Sequence, residues 1–269
     1  MEQNRSNGDN FLVDLYKTAV TNADPRTEQW LFVASPLPAL AAMFGYFAVV
    51  WVGPKLMENR KAIDLGHFLT VFNFGLVALS FYITKEFLMS AILSGHWLTC
   101  QPIDYSDDPL AIRMASACWF YYISKYIETA DTVFFILRKK GNQITFLHVF
   151  HHGTMIFNWW MCVKYIAGGC TVFHAVINSI VHVIMYTYYG LSALGPAVQP
   201  YLWWKKYVTK IQLTQFVIIL GHCIYVGTHC HFHLKGFVFL AIFYAVCMIT
   251  LFTNYYYQEY VRRSRLKAE

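Results

Sequence analysis

GFVFLAIFYAVCMITLFTNYYY, residues 236–257, runs for 22 residues without one Asp, Glu, Lys, Arg or His. As an α-helix rising 1.5 Å per residue it is long enough to cross the ~30 Å hydrocarbon core of a bilayer. Working outward from it, comparable apolar runs lie at Leu31 to Gly53, His67 to Leu88, Leu110 to Leu137, Phe146 to Gly168, Thr171 to Leu191 and Tyr207 to Gly227. None has the ten-residue alternation of a lipid-facing strand, and unpaired backbone groups are too costly in hydrocarbon, so these runs predict helices. A chain that is 57% hydrophobic and only 13% charged lacks the polar surface of a soluble globule of this length. The fold expected is an all-α polytopic membrane protein with seven transmembrane helices.

No charged segment or small-residue cleavage site adjoins the first run, which is therefore expected to be a retained helix. No repeat or long Pro/Gly-rich linker divides the chain. The expected organisation is a polar N-terminal segment over 1–30, one seven-helix domain over 31–257 and a basic tail over 258–269. Lys55, Arg60, Lys61, Arg138, Lys139, Lys140, Lys205, Lys206, Lys210, Arg262, Arg263, Arg265 and Lys267 fall in or beside alternate connections and the tail. That face is cytosolic by the positive-inside rule, which puts the N-terminus in the lumen and the C-terminus in the cytosol. The net charge of +6 gathers there and suits anionic headgroups or a polyphosphate ligand; nothing suggests nucleic acid. Of seven cysteines, Cys100 and Cys230 lie in the two lumenal connections. In an oxidising compartment they form a disulfide, or else remain two loop thiols.

Ionisable residues inside spans should face a cavity or one another. Lys125, Glu128, Asp131 and Thr132 share one wide face of the third span. His148, His151 and His152 fit on an arc of about 100° at the start of the fourth. Asn178, His182, Met185, Tyr186 and Tyr189 share another such arc in the fifth, and Thr209, Gln212 and Gln215 recur every third residue in the sixth. At 1.5 Å per residue, His151, His182, Asp131, Glu128 and Gln212 fall roughly 8 to 16 Å below the cytosolic face. They form one buried polar layer beneath Arg138, Lys140, Lys205 and Arg265, a collar suited to a phosphorylated head with an apolar tail. An H-x-x-H-H cluster serves either metal ligation or acid, base and nucleophilic chemistry. A membrane di-iron centre needs about eight histidines in several boxes; one box favours acid, base or nucleophilic chemistry, with no metal. His229, His231 and His233 are lumenal, either a solvated loop or a separate surface metal site.

The motifs Lys125-x-x-Glu128-x-x-Asp131-Thr132, His148-x-x-His151-His152, His182-x-x-Met185-Tyr186-x-Tyr188-Tyr189 and Thr209-x-x-Gln212-x-x-Gln215 together resemble the fatty-acid elongase family. Leu56-Met57-Glu58-Asn59-Arg60 and the stretch Gly190 to Pro196 extend the resemblance over nearly the whole chain. Ala23-Asp24-Pro25-Arg26 and Tyr201-Leu202-Trp203-Trp204-Lys205-Lys206 look most like the branch acting on saturated and monounsaturated acyl-CoA. The resemblance implies an inverted barrel of six helices around a closed-ended tunnel, with the first helix peripheral. It implies condensation of a long-chain acyl-CoA with malonyl-CoA to 3-oxoacyl-CoA, with no cofactor beyond the CoA thioesters. His151 is then the nucleophile, His148 and His152 orient it and handle protons, and Asn178 with His182 stabilises the thioester oxygen or enolate. Glu128, Asp131, Tyr186 and Gln212 support the polar layer. Lys125, Arg138, Lys140, Gln143, Lys205, Thr209 and Arg265 match positions expected to hold CoA. Beyond substrates and membrane lipid, the expected partners are a second copy in a homodimer and the other enzymes of the elongation cycle. The tail Arg265 to Glu269 resembles a K-x-K-x-x retrieval signal, which with the family points to the endoplasmic reticulum. Asn4-Arg5-Ser6 is a lumenal glycosylation sequon.

Overall fold

The computed structural model describes residues 22–95, 100–230 and 235–265, residue 265 by its backbone alone. Asn4-Arg5-Ser6, His231, His233, the Arg265 side chain and the rest of the tail lie outside the described residues. Every regular element among those described is helical. Helices α1 (Leu37–Met57), α2 (Gly66–Leu93), α3 (Pro109–Glu128), α4 (Ala130–Leu137), α5 (Phe146–Tyr165), α6 (Thr171–Ala193), α7 (Lys205–His229) and α8 (Lys235–Tyr256) follow in chain order. A π-helical turn, Tyr257–Arg262, continues α8. Five helices, α1, α2, α6, α7 and α8 with its extension, are long and apolar enough to cross a membrane. This is a multi-pass membrane protein.

Where helix limits differ from the sequence expectation, the backbone gives the reason. The first helix begins at Leu37, because Pro36 and Pro38 lack the N–H that a helix interior requires and belong at its start. Residues 31–35 form turns instead, with Phe32 at φ 62°. Their freed carbonyls are taken by side chains: Trp119 Nε1 donates to Leu31 O (3.0 Å), Tyr122 OH to Phe32 O (3.1 Å) and Trp160 Nε1 to Val33 O (3.2 Å). The third run is divided at Thr129 into α3 and α4. The fourth ends at Tyr165, since Gly168 and Gly169 adopt positive φ and cannot continue a helix.

The end of the polar N-terminal segment packs into the body. Asp24 and Arg26 pair at 2.6 Å with side chains 0% and 1% exposed. Arg26 also donates to the carbonyls of Ala111 (3.0 Å) and Ala167 (2.9 Å), and Thr27 Oγ1 to that of Val163 (2.7 Å). A guanidinium so buried persists because each of these donors has an acceptor.

Contacts run round a ring in the order α2, α6, α7, α8, α5, α3 and back to α2. Helix α1 lies outside that order, against α4 and α5. Its approach to α5 is close at Gly153, where an added Cβ would stand 2.5 Å from the Phe47 ring. Two sets of connections mark the ends of the bundle. At one, Ile63 N donates to Leu137 O (3.0 Å) and Lys139 Nζ to Glu58 O (2.9 Å). At the other, Cys100 and Cys230 are joined as a disulfide, and Asp24 N donates to Lys164 O (2.8 Å).

Candidate active site

Helix α5 begins at the N-cap Thr145, whose hydroxyl accepts from His148 N at 3.2 Å. This cap sets the phase of the helix and with it the three histidines of the first two turns. His148 and His152 rings lie 4.4 Å apart and those of His151 and His152 5.3 Å apart, centre to centre. Each histidine has its own surroundings. His151 Nδ1 is 3.1 Å from the Tyr244 hydroxyl of α8. His148 Nε2 is 2.7 Å from Thr132 Oγ1 of α4, which lies 3.0 Å from the Tyr46 hydroxyl of α1. His152 is buried between the other two.

Opposite them, Glu128 Oε1 gathers Lys125 Nζ at 2.8 Å, Ser124 Oγ at 3.0 Å and His182 Nδ1 of α6 at 3.4 Å. Lys125 and Glu128 side chains are each 2% exposed, so both charges survive desolvation only as partners. The Lys125 ammonium also sits 4.0 Å over the Tyr121 ring. One turn on, Tyr186 OH donates to Asp131 Oδ2 at 3.0 Å. Gln212 Nε2 reaches Met185 Sδ at 3.1 Å, linking α7 to α6. The residues expected in one layer thus arrive from α3, α4, α5, α6 and α7, tied by contacts between elements.

A cavity of about 400 Å³ opens beside this layer. His151, Asn178, Tyr121, Thr154 and Tyr244 line it near the histidines, and the remaining wall is largely apolar, including Trp159, Phe216, Ile219 and Leu240. Tyr121 donates to Asn178 Oδ1, which leaves the Asn178 amide N–H groups as what it can offer a ligand. His174, His222 and Cys223 also line the cavity. His174 Nε2 lies 3.1 Å from His222 Nδ1 and 3.5 Å from Cys223 Sγ. His148, His152 and His182 stand behind the cavity wall and do not line it.

The residues expected to hold CoA do not form one cluster. Lys125 lies buried in the polar layer on Glu128. Arg138 is half-buried at the end of α4, with Lys140 and Gln143 exposed in the connection to α5. Lys205 begins α7, exposed, 3.2 Å from Glu259, and buried Thr209 lies 3.3 Å from the Tyr260 hydroxyl. Sequence reasoning missed Tyr244, Tyr121, Ser124 and Tyr46, because a tyrosine within an apolar run has the same composition whether its hydroxyl meets lipid or a histidine. Among the described residues, no three His, Cys, Asp or Glu side chains are grouped to hold one metal ion.

Fold and site define a helical multi-pass membrane protein with a histidine and carboxylate layer at the head of an apolar cavity. Residues 31–268 match the family described as ELO, the GNS1/SUR4 family, and the chain belongs to it. It is similar to very long chain fatty acid elongase 1 of Homo sapiens, 47% identical over 258 residues covering 95% of this chain and 92% of that protein. It is similar also to elongase 7 of Rattus norvegicus, 46% identical over 258 residues (94% and 92% of the two chains). Elongase 4 of Homo sapiens is 44% identical over 260 residues (96% and 82%).

Proposed function

We propose that this protein condenses a long-chain fatty acyl-CoA with malonyl-CoA, giving 3-oxoacyl-CoA, CO2 and CoA, as the first step of a fatty-acid elongation cycle in the endoplasmic reticulum membrane. The observation that carries the reading is His151 at the head of an apolar cavity of about 400 Å³, one ring nitrogen held by Tyr244 at 3.1 Å. Tyr244 lines the cavity, so its own proton is available to a ligand there; with Nδ1–H donated to Tyr244, the Nε2 lone pair is the nucleophile. It attacks the thioester carbonyl, the C–S bond breaks, and CoA leaves as thiolate and takes a proton. The acyl group remains on His151 as an acyl-imidazole, a reactive donor that survives only where water is excluded.

Malonyl-CoA then loses CO2, and the electron pair of the broken C–C bond forms an enolate at the thioester. The enolate carbon attacks the acyl carbon, and the bond to His151 breaks to release 3-oxoacyl-CoA and the free imidazole. Asn178, whose Oδ1 is occupied by Tyr121, has amide protons for the oxyanion, with His182 supporting it from behind the wall. His148 and His152 handle protons beside His151. Glu128 compensates Lys125 and orients His182. Arg138, Lys140, Lys205 and Arg265 suit the CoA phosphates as cations, and Gln143 and Thr209 as polar contacts. The Ala23–Arg26 and Tyr201–Lys206 stretches resemble the branch acting on saturated and monounsaturated acyl-CoA, which supports substrates of that kind.

In this reading α3 with α4, and α5, also cross the bilayer, giving seven spans. Their charged and imidazole side chains lower their hydropathy because they face the layer, not lipid. Six spans enclose the tunnel and α1 stands outside, which agrees with the ring of contacts. The Lys and Arg distribution sets the N-terminus in the lumen and the C-terminus in the cytosol.

The test is incubation of the purified protein in detergent with acyl-CoA alone. One equivalent of CoA should be released, and His151 should carry the acyl mass on peptide analysis. CoA release only after malonyl-CoA is added, with His151 unmodified, would overturn the acyl-imidazole route.

A further inference from the structure

The helix outside the ring reaches the histidine cluster. Tyr46, 6% exposed on α1, places its hydroxyl 3.0 Å from Thr132 Oγ1, and Thr132, fully buried on α4, stands 2.7 Å from His148 Nε2. Three separate elements thus meet in one short chain of hydrogen bonds. Tyr46 is carried there by the close seat of α1 on α5, with Phe47 filling the space over Gly153, the residue after His152.

The direction of the chain follows from donor accounting. Tyr46 OH has Thr132 as its sole hydrogen-bond partner among the described residues. A buried phenol that accepted there without donating would leave its own proton unsatisfied, which costs stability. Tyr46 therefore donates to Thr132 Oγ1, and the threonine proton is directed at His148 Nε2, which accepts. Neutral His148 is then the tautomer with its proton on Nδ1.

We propose that Tyr46 and Thr132 are positioning residues for the condensation: they hold His148 with Nε2 as acceptor and Nδ1–H as its proton, in a ring 4.4 Å from that of His152, which in turn adjoins His151. Helix α1 is in that case part of the reacting machinery, although it contributes no side chain to the cavity wall. The inference rests on the condensing function proposed above.

Four full-length variants test it: Tyr46→Phe, Thr132→Val, Thr132→Ser and the double Tyr46→Phe/Thr132→Val. Each is assayed for CoA release from acyl-CoA alone and for thermal midpoint. The steady-state formation of 3-oxoacyl-CoA, followed against malonyl-CoA concentration, gives kcat and KM separately. Thr132→Val should lower kcat about 10- to 100-fold with KM for malonyl-CoA unchanged, since proton handling by a positioned group contributes on that order or more. Thr132→Ser, which keeps the hydroxyl, should return kcat to within about threefold of wild type, and Tyr46→Phe should lower it about three- to tenfold. The double variant should be no slower than Thr132→Val, because Tyr46 acts only through Thr132.

Wild-type kcat in Tyr46→Phe, or losses that multiply in the double variant, would overturn the inference while leaving the condensing function intact. So would a lower thermal midpoint with kcat preserved, which marks Tyr46 as packing alone. A wild-type protein that forms no 3-oxoacyl-CoA overturns the functional reading and this inference with it.

Discussion

Two groups of histidines face the interior, and they differ in company. His148, His151, His152 and His182 adjoin Glu128, Lys125, Asp131 and four hydroxyl-bearing side chains. His174, lining the same cavity, has only His222 and Cys223 as polar partners among the described residues. Imidazole at a buried site is therefore not enough to mark a reacting centre. What separates the groups is a carboxylate that compensates charge and holds His182, and hydroxyls that fix His148 and His151, the arrangement expected where protons and acyl groups move. The His174 pair instead terminates an apolar wall.

The largest expected effect falls on the first group. His151→Ala should lower 3-oxoacyl-CoA formation by about a thousandfold or more and abolish the acyl adduct, read by product assay and mass spectrometry. Equal loss in His174→Leu would erase the distinction between the two groups. Next is Glu128→Gln, which leaves the Lys125 ammonium buried without its counter-charge. It should destabilise the fold by about 3–5 kcal/mol in chemical denaturation and reduce turnover strongly. Lys125→Met in the same chain should recover part of the stability, because the unpaired charge is then gone.

His174→Leu should hold turnover within about threefold of wild type, since no reacting atom depends on it. Filling the wall at the same level with Cys223→Trp should shorten the longest 3-oxoacyl product found by chromatography. Unchanged product lengths would mean that the acyl tail does not reach this group. Smallest in rate is the paired change Cys100→Ser with Cys230→Ser, at the end of the bundle away from the first group. It should leave turnover near wild type and lower stability by about 2–4 kcal/mol, the usual worth of a loop-closing disulfide.

Much of this was legible in the chain. Apolar runs of bilayer length predict helices without any partner being known, because in hydrocarbon the backbone must satisfy itself. The helical period placed His148, His151 and His152 on one arc. Depth arithmetic placed Glu128, Asp131, His182 and Gln212 at one level; in the structure Glu128 contacts His182, Asp131 contacts Tyr186 and Gln212 contacts Met185. Placing Cys100 and Cys230 in connections on one side of the membrane left a disulfide or two loop thiols, and the structure joins them.

Other features depend on which faces meet. The first helix starts six residues later than its apolar run, since Pro36 and Pro38 exclude a helix interior while tryptophan and tyrosine side chains absorb the carbonyls of 31–33. The last residues of the polar segment are charged or polar, yet Asp24, Arg26 and Thr27 are buried because Asp24 pairs with Arg26 while Arg26 and Thr27 find backbone carbonyls distant in sequence. Lys125 carries the same +1 charge as Lys140 and Lys205, and only its burial on Glu128 distinguishes it.

What the sequence by itself determined is therefore the helical character of the long runs and their membrane setting, properties of one segment and its solvent. The tertiary structure alone decided that Tyr244 meets His151, that Tyr121 occupies Asn178 and that Tyr46 reaches His148 through Thr132. A hydroxyl's partner is chosen by the rotation and register of two packed helices, and neither quantity is written in the period of either one.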